Sequence, residues 1–355
     1  MRVIYSPKHE LHCPPKEMVM GRFVDYRETA SRMYSILKAL NAQGLNDIIP
    51  PTDHGLDPIL AIHSREYVNY FQTAYAKWLE MGGNPDGVFP DTFAVRLGQI
   101  YRDIGDGGVG GRPGLFSYDM TAIIAKETYD AAYEAVQVAL TAADCLITGK
   151  TQGAFALCRP PGHHSSEDLA GGYCFFNNAG IAAEYLIKVH NVGKIAILDV
   201  DYHHGNGTQS IFYERHNPLF VSIHGAPDYP YFWGKSEEMG SGEGLGSNIN
   251  VPLPQKTADM EYLAALDNVI VNHIIPFGAQ ILVISLGVDT FCGDPIGSFN
   301  LTGECFHKIG QRLGEIGLKT VFVMEGGYNV DEIGINVTNV LVGFDDAVGA
   351  TAIKA

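Results

Sequence analysis

Residues 199–204 read Asp-Val-Asp-Tyr-His-His and follow an apolar run without a break. Alternate residues of an extended chain point the same way, so Asp201 and His203 can project together past a strand's end. Carboxylates and an imidazole at alternate positions suit a divalent metal that takes hard oxygen and borderline nitrogen ligands. A buried Asp–His network without metal is the competing reading of these residues alone. Three more polar clusters each follow an apolar run: Arg159-Pro160-Pro161-Gly162-His163-His164, then Asp289, then Glu325-Gly326-Gly327-Tyr328. If the runs are parallel strands, all these tips lie on one edge of the sheet, where ligands of open α/β sheets bind.

The chemistry suggested is metal-assisted hydrolysis. Asp201, His203 and Asp289 supply three ligands and leave a position for a water, which a metal makes nucleophilic while polarising a carbonyl. A base must take the water's proton and an acid must protonate the leaving amine. His163 and His164 can supply both functions, with Asp199 and Asn206 as polar candidates to fix their tautomers. Tyr328, on a Gly-Gly turn, can donate a hydrogen bond to a developing oxyanion; the alternative is a packed loop aromatic. No G-x-S-x-G elbow is present. Cys158 and Cys174 flank the histidine pair and read as small buried hydrophobes rather than nucleophiles.

The positioning elements follow from periodicity. Residues 2–5, 153–158, 194–200, 219–223, 280–286 and 320–324 read as strands. Residues 26–42, 56–62, 67–81, 121–146, 175–190, 207–215, 258–275, 305–316 and 331–342 read as helices. Strand–helix alternation from residue 153 onward implies a mostly parallel sheet with helices on both faces. No linker or internal repeat interrupts the chain, so a single domain over residues 1–355 is expected. Residues 82–118 are rich in Gly and Pro with few periodic apolar positions, and read as a long functional loop, a lid or an interface arm. Residues 105–110 match G-x-G-x-x-G by letter, but no strand precedes them and no clear helix follows, so a dinucleotide site is not expected.

Composition narrows the classes. The chain has 355 residues, 46% hydrophobic and 18% charged, which is globular and core-rich. A formal net charge of −16 argues against a nucleic-acid backbone or an anionic membrane as partner and is compatible with a cationic substrate. None of the six cysteines forms a C-x-x-C pair, so neither a disulfide framework nor a thiolate zinc site is indicated. No apolar run is long enough to span a bilayer and the N-terminus lacks a signal-peptide pattern, so a cytoplasmic location is expected.

The blocks RPPGHH, GGYCFFNNA, ILDVDYHHGNGTQ, SLGVDTFCGDP and MEGGY resemble the signature blocks of the histone deacetylase family over nearly the whole chain. Within it, RVIYSPKHEL, GGYCFFNN, DPIGSF and the long loop before residue 120 are most similar to the bacterial acetylpolyamine amidohydrolases. The resemblance implies an arginase–deacetylase α/β fold and hydrolysis of an N-acetyl amide to acetate and a free amine. It implies zinc on Asp201, His203 and Asp289, with His164 as base and acid. His163, paired with Asp199, is then the more electrostatic histidine, and Tyr328 polarises the acetyl carbonyl. Asn206 stands where some members carry Asp. Gly172 and Tyr173 match a tunnel wall, the Gly172 carbonyl facing the substrate amide, and Tyr229 lies near the opposing aromatic position. A potassium site matches the backbone carbonyls of Asp199, Asp201 and His203 with Ser222. Glu17 matches an acidic residue near the entrance, facing a distal ammonium; its other reading is a solvated surface acid. The loop 82–118 resembles an arm that packs across a homodimer; it carries Asp103 and Asp106, with Asp119 just past its end, none matched to an ammonium-binding glutamate.

The expected activity is therefore removal of acetyl groups from small N-acetylated amines such as acetylpolyamines. The alternatives are a protein acetyl-lysine deacetylase with an open mouth, a two-metal ureohydrolase on the same fold, and an amine sensor without turnover.

Overall fold

The structure is a computed structural model and describes residues 1–94, 105–149 and 151–354. Eight strands form one sheet in the order β4-β1-β5-β10-β9-β6-β7-β8. They are β1 (Arg2–Ile4), β4 (Ile48–Ile49), β5 (Gly153–Ala156), β6 (Ile195–Asp199), β7 (Leu219–Gly225), β8 (Asn248–Leu253), β9 (Ile281–Leu286) and β10 (Lys319–Met324). Every pairing in this sheet is parallel. A separate antiparallel hairpin joins β2 (Lys16–Val19) to β3 (Arg22–Asp25).

The sheet is buried on both faces, as parallel sheets with crossover helices must be. Alternate residues of β6 show it: Ile195 and Ile197 belong to one apolar cluster, Ala196 and Leu198 to the other. The helices Arg65–Glu80, Thr128–Thr148 and Asn178–Lys188 cover the first face. Ser31–Ala42, Asp259–Val269, Gly303–Glu315 and Ile333–Lys354 cover the second. Gly310, on the helix Gly303–Glu315, meets the Val340 carbonyl so closely that a Cβ there would overlap it, which is how these two helices approach.

The six expected strands are all present, and the edge strands β4 and β8 and the hairpin are additional. Several expectations change, among them the last helix, which runs to Lys354 rather than to residue 342. The helix expected from residue 26 begins at Ser31, because Tyr26 turns inward to hydrogen-bond His12 and meet Tyr173 edge to face. The helix expected from residue 121 begins at Thr128, whose hydroxyl satisfies His12 and the Ala125 amide. The loop 82–118 is not structureless: Gly108–Leu115 is helical, so a helix does follow the glycine run. Asp103 lies outside the described residues.

Candidate metal centre and acetyl-binding cavity

The strands β5, β10, β9 and β6 are consecutive neighbours at the centre of the sheet. The four polar clusters leave the C-terminal ends of these four strands, so the topology itself gathers them. Ligand atoms of Asp201, His203 and Asp289 all lie within 4.8 Å of one another, and all three side chains are buried. His203 Nδ1 is 3.0 Å from Asp289 Oδ2 and 3.3 Å from Asp201 Oδ1. Backbone amides hold the carboxylates: Gly326 N–H donates to Asp201 Oδ2 at 2.7 Å, and Tyr202 N–H to Asp289 Oδ1 at 2.8 Å. Two glycines stand against them. A Cβ on Gly287 would overlap Asp201 Oδ2, and one on Gly326 would lie 2.5 Å from both Asp201 Oδ2 and Asp289 Oδ2.

Two buried carboxylates side by side repel unless a cation is shared. Burial first, and Asp201 next, push the Asp289 carboxyl up to about 7. Asp201 itself is held far below its ordinary value, because the His163 and His203 charges outweigh its burial. Oxygen, nitrogen and oxygen donors with this mutual repulsion fit a divalent ion of the zinc type.

The two adjacent histidines have different partners. His163 Nδ1 lies 2.9 Å from Asp199 Oδ2, whereas His164 Nδ1 lies 2.7 Å from Asn206 Oδ1. Burial opposes protonation of His163, but Asp199 and Asp201 overcome it and raise the ring to about 10. For His164 the raising effects of Asn206 and Asp201 are outweighed. Burial pushes it well below the ordinary histidine value, and the charges of His163 and His203 push further. Their ring centroids are 4.0 Å apart, so one charged and one neutral ring is the arrangement this environment favours.

A cavity of about 340 Å³ opens from these groups to the surface. His164, His203 and Tyr328 lie at its inner end, and Gly172, Tyr173 and Tyr229 line it. Tyr229 stands edge-on to His164, with centroids 5.0 Å apart, and Tyr173 lies 5.5 Å from Tyr328. Gly172 and Tyr173 both adopt positive φ, 54° and 67°, which turns the chain into the wall. Gly172 has no room for a side chain, since a Cβ would overlap the His164 ring. Its carbonyl accepts from Cys174 Sγ at 3.3 Å. Burial raises the Tyr328 hydroxyl well above 10, with Arg32 opposing; the Arg32 guanidinium carbon lies 4.9 Å from the Tyr328 ring centre.

Glu17 is not a solvated surface acid: its residue is fully buried. It does not itself line the cavity, but it interacts with Tyr173 and Arg27, which do. Strand alternation explains this: Lys16 faces outward on β2 and Glu17 therefore faces inward. Ser222 pairs with Asp199 across β6 and β7, and its hydroxyl is 3.0 Å from His224 Nδ1.

Sequence reasoning missed several residues here. Tyr118 O–H reaches the Tyr229 hydroxyl at 2.8 Å, and Tyr229 O–H donates to Asp119 Oδ2 at 2.7 Å. Asp119 also accepts from the Gly172 amide at 3.0 Å, so it ties both walls together. Beneath Tyr328, Glu28 joins the fully buried Arg32 and Arg159 at 2.6 and 2.9 Å. Arg32 also donates to the Gly327 carbonyl, which fixes the turn carrying Tyr328. Apart from Glu28 and Arg32, which stand four residues apart, these partners are far apart in sequence and no pattern in the chain marks their contacts.

The histone deacetylase domain profile matches residues 26–344. The chain is 44% identical over 348 residues to acetylpolyamine amidohydrolase 2 of Pseudomonas aeruginosa, covering 97% of this chain and 99% of that one. It is 41% identical over 347 residues to the acetylpolyamine amidohydrolase of Mycoplana ramosa, covering 97% and 99%. The crystal structure of acetylpolyamine aminohydrolase from Burkholderia pseudomallei superposes with a TM-score of 0.90 at 33% identity, covering 98% of this chain and 99% of that one. The chain belongs to the histone deacetylase family. Its architecture is the single-domain arginase–deacetylase α/β fold.

Proposed function

We propose that this protein is a zinc-dependent amidohydrolase that removes acetyl groups from small N-acetylated amines, acetylpolyamines among them, releasing acetate and the free amine. One observation carries the reading: an oxygen–nitrogen–oxygen donor set, two histidines of opposite protonation preference and a tyrosine hydroxyl meet at the inner end of one cavity. The names of the relatives support the substrate class.

Asp201, His203 and Asp289 would hold the zinc, which when bound would supply an acidified water and polarisation of the acetyl carbonyl. His164 donates its Nδ1–H to Asn206, so its Nε2 lone pair is the one free to take the water's proton. His163 stays charged against Asp199 and stabilises the negative charge that builds beside it. Tyr328 donates its O–H to the carbonyl oxygen as that oxygen becomes anionic. The proton held on His164 Nε2 then passes to the departing amine. Tyr173 and Tyr229 sandwich the slim alkyl chain, and the Gly172 carbonyl accepts the substrate amide N–H. The backbone carbonyls of Asp199, Asp201 and His203 with Ser222 would hold a potassium ion, which would supply positive charge close to the metal-ligating loop. The chain works in the cytoplasm as a homodimer through the loop 82–118; among the described residues no helix is long and apolar enough to cross a membrane.

The test is a side-by-side assay of acetylputrescine, acetylcadaverine, acetylspermidine and an acetyl-lysine peptide with the zinc-loaded protein. Turnover of the small amides supports the reading. Turnover of the peptide alone would make acetyl-lysine proteins the substrate and remove the small-amine claim.

A further inference from the structure

Tyr328 follows two glycines, Gly326 and Gly327, the second at φ 124°. Such a pair has little conformational preference of its own, so neighbours must impose the place of the tyrosine. Arg32 takes the carbonyls of this turn, those of Glu325 and Gly327. A buried carboxylate, Asp294, takes its amides. Asp294 Oδ2 accepts from Tyr328 N–H at 2.6 Å and from Asn329 N–H at 3.2 Å. Its Oδ1 accepts from Ile296 N–H at 3.0 Å. Among the described residues no lysine, arginine or histidine nitrogen lies within 4.0 Å of either oxygen. Three amide donors therefore hold this buried charge by charge-assisted bonds alone. Asparagine cannot do the same, because it has one acceptor oxygen and its own N–H would face a donor. Asp294 does not line the cavity, but both ends of its clamp do: Ile296 in the wall and Tyr328 at the inner end. Asn329 extends the seam, its Nδ2–H donating to the Gly293 carbonyl at 2.8 Å.

We propose that Asp294 is a positioning residue for the reaction, fixing where the Tyr328 hydroxyl stands by tying the backbone of its turn to the wall at Ile296. The proposal rests on the reading of Tyr328 as the oxyanion donor. Such a donor gives its full stabilisation only at about 2.7–3.1 Å from the place where the oxyanion forms. A misplacement of about 1 Å costs up to about a hundredfold in rate. The hydroxyl lies at the end of a long side chain, so a small tilt of the turn moves it by that much. Arg32 alone leaves the amide side of the turn unheld, and the glycines before it offer no resistance.

The experiment is a double-mutant cycle on the zinc-loaded full chain with N-acetylputrescine as probe. Asp294→Ala is expected to lower kcat about ten- to a hundredfold and to move KM less than about threefold. In a Tyr328→Phe background the same change is expected to cost less than about threefold, because the hydroxyl it places is gone. Asp294→Asn is expected to fall between wild type and the Ala variant, since one acceptor oxygen remains. Hydrogen exchange gives a readout besides turnover. The peptide carrying Tyr328 and Asn329 should lose protection in Asp294→Ala, while the peptide carrying Asp201 and His203 keeps it. Equal losses of kcat in the two backgrounds overturn the inference, because Asp294 then acts on something other than that hydroxyl. An unchanged kcat in Asp294→Ala, or deprotection spread over the whole sheet, overturns it too. If Asp294→Ala fails to fold or to load zinc, the cycle with Asp294→Asn decides by the same criterion. Wild-type turnover and the loss in Tyr328→Phe alone test the deacetylase reading separately, and failure of either removes that reading first.

Discussion

Replacing Asn206 by Asp tests which histidine is the base. In the wild type a neutral amide oxygen lies 2.7 Å from His164 Nδ1, while a carboxylate lies 2.9 Å from His163 Nδ1. The protein therefore holds its own comparison. The ring facing the carboxylate is raised to about 10, and the ring facing the amide falls well below its ordinary value. Asn206→Asp places a charge about 4 Å from the His164 ring centre, an attraction of about 4 kcal/mol at an effective dielectric of 20. Burying the new carboxylate opposes this by a few kcal/mol. A net rise of about 1–2 pH units for His164 remains, or about 1.4–2.8 kcal/mol. The base works in its neutral form, so raising its pKa moves the acid limb of kcat/KM to higher pH. At a pH on the wild-type acid limb the variant should be about ten- to a hundredfold slower, with the activity recovered on the alkaline side. The assay is a kcat/KM profile on a small acetamide from pH 5 to 10, with zinc content checked for both proteins. An acid limb that stays in place, in a folded and fully zinc-loaded variant, would refute the assignment of His164.

Three other outcomes follow from the geometry. Asp289→Ala removes one of three donors and should reduce zinc per chain, read by elemental analysis, with activity falling at least about a thousandfold. Tyr328→Phe should lower kcat by about a hundred- to a thousandfold with little change in KM, because its O–H acts on charge that develops only in the transition state. His63 accepts the Asn177 amide at Nε2 and faces the Glu167 carbonyl at Nδ1, so it must stay neutral, and burial lowers it to about 4. Its folded value lies below its unfolded value of about 6.5, so its stabilisation is present above 6.5 and is lost as pH falls toward 4. The stability deficit of His63→Gln against wild type, followed through Tm, should therefore be largest at neutral pH and shrink across that window, by up to about 3 kcal/mol. His163 titrates in the opposite sense between about 6.5 and 10 and does not enter the comparison.

Much of the inner site was legible because of where its residues stand. Asp201, Asp289, His164 and Tyr328 each come just after a short apolar run that reads as a buried strand. The parallel topology then turns a linear pattern into a convergence. Glu17 and Arg27 were not legible in that way. Glu17 sits among polar neighbours and looks solvated, and only the pairing of β2 with β3 shows that it faces inward. Arg27 was read as part of a helix that in fact starts at Ser31. Arg32 and Arg159 look like ordinary surface cations until folding buries both against Glu28. Edge strand β8 was missed because its Pro252 argues against a strand, a residue tolerated only because the edge needs no further partner.

The glycines at 287 and 326 have a consequence for recognising lost activity. Each occupies a spot where even a methyl group would displace a carboxylate of Asp201 or Asp289. A homologue could keep every donor, both histidines and the tyrosine and still be inert through one alanine in this backing. Judging such a chain by its signature residues alone would misread a silent pseudoenzyme as a working one.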